Sequence, residues 1–148
     1  MRGRYTAHHK ISALIAAKTL LYLTVPSNKQ VTVRDTKVTN GSNETNEQIE
    51  VCWQRITTLG TPTATTLTPS KDEIGDQAAS STLKADVTAS EPTYGANTEI
   101  DRQGVASLAG YRSQKEVVMA GGDSWGLRLL NSPSSFDAII TVVFDERG

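Results

Sequence analysis

At 148 residues, with 37% hydrophobic and 5% aromatic content, the chain is long enough for one buried core and too short for two ordinary domains. A lone cysteine, Cys52, and two adjacent histidines, His8 and His9, exclude an intramolecular disulfide and leave no residue set at zinc-ligand spacing. The net charge of −1 hides an asymmetry, because the first 34 residues carry +6 without one acid and the rest carries −7, so the two parts attract different partners.

Residues 1–18 set Arg2, Arg4 and Lys10 ahead of an apolar run, the layout of a secretory leader. Lys18 splits that run into pieces far short of the roughly 20 residues a membrane-spanning helix needs, so neither a leader nor a membrane anchor is expected. Without turn signals or strict periodicity, the segment reads as an extended or briefly helical N-terminal arm, with Ile11, Leu14, Ile15 and Lys18 on one face if helical. Its charges raise the question of nucleic acid, since Arg2, Arg4, Lys10 and Lys18 could meet phosphates and Tyr5 could stack. Four charges with no basic fold behind them favour an arm that crosses a neighbouring protein instead.

From Thr19 the pattern changes. Leu21, Leu23 and Val25 alternate on one side of a strand, Pro26 to Asn28 make a turn, and Val31 and Val33 resume. The polar run NGSNETNEQ over residues 40–48 holds two glycosylation triplets, which read better as a turn. IEVCWQRI then sets Ile49, Val51 and Trp53 against Glu50, Cys52 and Gln54, a half-buried strand. The stretch RITTLGTPTATTLTPS is too short for a disordered stalk and reads as a loop stiffened by Pro62 and Pro69, suited to lie along a surface with little entropy left to lose. Residues 71–93 read mostly as loop, and residues 98–112 show only weak apolar spots at Ile100, Val105 and Leu108.

The last third is sharper. Val117 to Met119 form a short strand, AGGDSWG a hairpin turn with Gly121 and Gly122 supplying positive φ, and Trp125, Leu127 and Leu129 alternate. Residues 138–144 make a final strand, apolar on both sides, which requires a second partner beyond the core. Short strands joined by Gly, Pro, Asn and Ser loops indicate an all-β sandwich or barrel.

Chemistry finds little purchase. AGGDSWG lacks the Lys-Ser/Thr pair and further glycines of a phosphate loop. Asp72, Glu73 and Asp76, and the pair Asp145 and Glu146, lack calcium-loop spacing and read as solvated surface. Both histidines lie in the arm, where no general base would be held rigidly, and Trp53 and Trp125 fall at core positions, unsuited to the aromatic platforms of a glycosidase.

The segments TNGSNETNEQIEVCWQRITT, GTPTATTLTPSKDEIGDQAAS and AGGDSWGLRLLNSPSSFDAIITVVFDERG resemble, in layout and short motifs over roughly residues 19–148, small proteins of tailed-bacteriophage structural modules, in particular the capsid cement (decoration) proteins. That resemblance implies a single β-sandwich of the jelly-roll type over residues 19–148 behind the arm of residues 1–18. It further implies a homotrimer on the outer capsid surface of the virion that clamps neighbouring major capsid subunits, with no catalysis, no cofactor, no membrane and no direct nucleic-acid contact. On this reading Arg2, Arg4, Tyr5 and Lys10 make the arm's polar contacts and Ile11, Leu14 and Ile15 its apolar ones. The alternatives are a tail or head fibre module that binds host-surface carbohydrate, and a secreted carbohydrate-active enzyme.

Overall fold

The computed structural model describes residues 2–41 and 46–148, apart from the Arg2 side chain, and every regular element among them is a strand. In chain order these are β1 (Arg2–Leu14), β2 (Lys18–Thr24), β3 (Gln30–Asn40), β4 (Gln48–Thr58), β5 (Thr63–Leu67), β6 (Ser70–Lys71), β7 (Thr82–Ala89), β8 (Thr93–Tyr94), β9 (Ile100–Ala106), β10 (Tyr111–Ser113), β11 (Val117–Met119), β12 (Ser124–Leu129) and β13 (Phe136–Arg147). The part of the polar turn over residues 42–45 lies outside the described residues.

The pairing follows one scheme. β1 pairs with β13, β2 with β12, β3 with β10 and β11, and β4 with β8 and β9, all antiparallel. It is the pattern of one long hairpin, β1 to β4 against β8 to β13, rolled up on itself. Rolling adds the pairs of β13 with β3 and β12 with β4, and two sheets result. The first holds β10 and β11 beside β3, then β13, β1 and β6; the second runs β5, β7, β2, β12, β4, with β8 and β9 at its end. This is a jelly roll, a double sheet built from two Greek keys. β5, β6 and β7 belong to the long connection after β4 and widen both sheets on one side, β6 against β1 and β7 against β2.

The space between the sheets is filled. Tyr5, Ile11, Val33, Val38, Ile140 and Phe144 from the first sheet meet Leu21, Leu23, Ile49, Val51, Trp53 and Leu127 from the second in one apolar cluster. Tyr5 and Phe144 stack with ring centroids 5.4 Å apart, and Trp53 Nε1 donates to Thr36 Oγ1 across the interior at 2.9 Å, so the one polar atom of the largest core side chain is satisfied.

The segment expected as an arm is a core strand. β1 runs in register with β13 from Arg2 opposite Arg147 to Ile11 opposite Ala138, and Tyr5, Ala7, Ile11 and Leu14 are all at most 4% exposed. The reason is period two: Tyr5, Ala7 and Ile11 point inward while Arg4, Thr6, His8 and Lys10 point outward, and a bulge at Ala13, with φ of 53°, turns Leu14 back into the core. Small Ala7 and polar His9 hid that alternation. The boundary between an arm and a domain at residue 18 therefore falls inside one continuous sandwich.

Two more expectations change. Residues 82–89, read as loop, are strand β7; Leu83 faces the main core, but Asp86 takes φ of 58° and Val87 emerges on the opposite face, which is how a bulge erases alternation from a sequence. The AGGDSWG turn joins the two sheets rather than forming a hairpin within one. Only Gly122 there has positive φ; Gly121 is required because a Cβ would stand 2.3 Å from the carbonyl oxygen of Ser27.

Candidate assembly surface

The two outer faces of the sandwich differ. On the second sheet, Cys52, Gln54 and Ile56 of β4, Tyr22 of β2 and Arg128 of β12 point away from the core, yet the chain covers them with its own loops. Tyr94 lies across β12, where Gly126 leaves room: a Cβ there would sit 2.2 Å from the Tyr94 hydroxyl. The Tyr94 hydroxyl reaches Thr19 Oγ1 at 2.5 Å, and Arg128 stacks its guanidinium 4.2 Å from the Tyr94 ring centre while donating to Gln54 Oε1 at 2.7 Å. Glu91 accepts from the Thr19 amide and hydroxyl.

Beside this polar seam, Tyr22, Ile56 and Val87 form a second apolar cluster packed by Leu59, Ala64 and Tyr94. Leu59 and Ala64 come from the Thr-rich stretch, which thus lies against its own sheet on the way to β5. Burial pushes the Cys52 thiol up to about 11, and a thiol held protonated is no nucleophile at neutral pH.

Among the described residues, no loop covers the outer face of the first sheet in this way. Along β13, Ile139, Thr141 and Val143 alternate with the core residues and stay half-exposed. The strand registers flank them with Lys10 and Thr39, with His8 and Lys37, and with Thr6 and Asp35, in successive rows. At one end of these rows Arg4 Nε and Arg34 Nε both donate to the buried carboxylate of Asp145, at 2.8 and 2.9 Å; those bonds are also the largest cause of the raised pKa of each guanidinium. Arg34 also pairs with Glu116, Arg112 with Asp35 at 3.3 Å, and Lys10 with Asp137 at 3.6 Å. A β-branched strip rimmed by charges has the composition of a protein-binding surface: an apolar centre for burial and a polar border for register.

The expected docking residues separate along these lines. Tyr5, Ile11 and Leu14 belong to the core, at 4%, 3% and 2% exposure. Arg4 and Lys10 stand on the open face, and Ile15, 59% exposed, tops the turn between β1 and β2. The Arg2 side chain lies outside the described residues. The strip on β13 was legible as the doubly apolar last strand, whereas its rim required the register with β1 and β3.

Asp145 and Glu146, read as solvated, are each 5% exposed. Asp145 holds the two arginines, and Glu146 accepts from the amides of Ser80 and Ser81 and the Ser81 hydroxyl, tying the β6–β7 connection to the sandwich. Asp72, Glu73 and Asp76 do lie exposed or nearly so, around an open cleft of about 460 Å³ beside Arg4. Among the described residues no group of three or more His, Cys, Asp or Glu is placed to hold a metal ion. A second cleft, of about 690 Å³, is lined by Arg55, Thr57, Gly95 and Asp123 and by no aromatic ring. Trp53 and Trp125 are 0% and 9% exposed, and neither offers a platform for a sugar.

These features define a jelly-roll sandwich with the middle of one outer face covered by its own loops and, among the described residues, the other left open. No family model matches the chain, and no curated protein does. Among solved structures it is similar to VP17, a capsid protein of bacteriophage P23-77, in an alignment covering 100% of this chain and 97% of that one, at 10% identity and a TM-score of 0.28.

Proposed function

We propose that the protein is a structural component of a phage virion that acts by assembly, its open face taking a neighbouring subunit. The observation that carries this reading is the contrast between the two outer faces. A chain that covers the middle of one sheet, at Tyr22, Cys52, Gln54 and Ile56, with its own loops leaves Ile139, Thr141 and Val143 of the other for a partner. The resemblance of the segments over residues 39–58, 60–80 and 120–148, which hold β4, β5 with β6, and β12 with β13, to cement proteins supports a finer form: a homotrimer on the outer capsid surface that clamps major capsid subunits. In this form the strip of Ile139, Thr141 and Val143 joins the three copies, while Arg4, Lys10 and Ile15, the exposed ones among the expected docking residues, supply contacts to the shell, and three linked copies hold it far more tightly than one.

A fibre module that binds carbohydrate would need an exposed aromatic platform, and the burial of both tryptophans weighs against it. The test is co-sedimentation with phage heads stripped of accessory proteins. The protein is expected to pellet with heads, and a joint Arg4→Glu and Lys10→Glu variant to stay in the supernatant. Failure of the unaltered protein to bind any head preparation, with the fold intact, would overturn the proposal.

A further inference from the structure

We infer that β5 is a second assembly element, a sheet edge that pairs antiparallel with β5 of a second copy about a two-fold axis. An edge strand exposes a row of unpaired amides and carbonyls, and proteins ordinarily blunt it with charge, bulges or brevity. Three edges here are blunted. β6 is two residues long and leads into Asp72 and Glu73; β10 and β11 are three residues each and are separated by Lys115 and Glu116; β8 and β9 carry a break, with Asp101 at φ of 51° and Arg102 beside it.

β5 differs. It pairs with β7 on one side, and among the described residues no strand pairs with the other. No charged residue occurs from Ile56 to Ser70, and Thr63, Thr65 and Thr66 are exposed. Pro62 and Pro69 bracket the strand without entering it, which limits pairing to a short, defined length.

A second copy is the occupant these features fit. A strand of five residues placed against itself in antiparallel register sets Thr65 opposite Thr65 of the other copy, and Thr63 opposite Leu67. All five residues pair, the two-fold closes, and no edge is left over to propagate a fibre. Cross-strand threonines are favourable neighbours, and no like charges meet. This contact does not depend on the virion reading, nor on the open face: it lies at the side of the second sheet.

The test uses the axial position. Sedimentation velocity is run over a concentration series on the unaltered protein, on Thr65→Lys, on Thr65→Glu and on an equimolar mixture of the two variants. Like charges across the axis are expected to weaken the two-fold contact severalfold in each variant, halving the mass of the assembly, and the mixture is expected to restore it. Circular dichroism of each variant separates lost pairing from lost folding at an exposed site. Equal masses for all four samples, or two folded variants whose mixture does not recover, overturn the inference while leaving co-sedimentation with heads unaffected.

Discussion

Gly126 shows how one missing side chain organises a face. Because Tyr94 occupies the space where its Cβ would be, Gly126→Ala should push the ring off Thr19 and Arg128 and cost about 1–3 kcal/mol of stability, as overpacking does. In a Tyr94→Ala background the same change should cost much less, since the two residues share one space; chemical denaturation of the four proteins of the cycle checks this. Cys52 makes a second prediction at this scale. Its folded thiol is pushed from 9.0 up to about 11 by burial, so the folded state favours the protonated form. The sign follows: that contribution is complete below pH 9 and is lost as the pH rises towards 11. Burial also raises the Tyr94 and Tyr111 phenols above 10.0, which extends the loss upward. Melting temperatures should be level from pH 7 to 9 and then fall, less steeply between 9 and 10 for Cys52→Ala.

At the scale of elements, β1 matters most, because its removal reverses what an arm would imply. Deleting residues 1–14 takes Tyr5, Ile11 and Leu14 out of the core, a loss on the order of 5–9 kcal/mol at roughly 1.5–3 kcal/mol for each buried side chain, against a whole-domain stability of about 5–15 kcal/mol. The truncated chain should be unfolded by circular dichroism; a folded product would show that β1 is dispensable. The strands legible in the sequence were those with bulky alternation: Leu21 and Leu23, Ile49 to Trp53, Trp125 to Leu129, and the last strand. Those that were missed lacked it for identifiable reasons. β1 spends inward positions on Ala7 and His9, β5 has three threonines among its five residues, and β7 crosses a bulge at Asp86 that moves Val87 to the other face. The open face was half legible. Its apolar strip lies within one strand, but the charges on its rim pair residues from 77 to 141 positions apart, such as Arg112 with Asp35 and Arg4 with Asp145, and only the rolled topology brings them together.

At the scale of the whole molecule, the topology ties the first strand to the last, so that neither acts as a free terminus within the sandwich. It also disperses most of the +6 of the first 34 residues. Arg4 and Arg34 meet Asp145, Lys10 meets Asp137, and Lys18 meets Asp86, so four of those six charges are folded into pairs. What stays available is a β-branched strip with a charged rim on one face and an uncharged edge at the side. The measurement that tests the account most directly is the solution mass, by light scattering, of the unaltered protein and of a joint Ile139→Lys and Val143→Lys variant. The account predicts three chains of 15.9 kDa, or six where β5 also pairs, for the unaltered protein, and a folded product of lower mass for the variant. A folded monomer at every concentration, or a variant with unchanged mass, would contradict it.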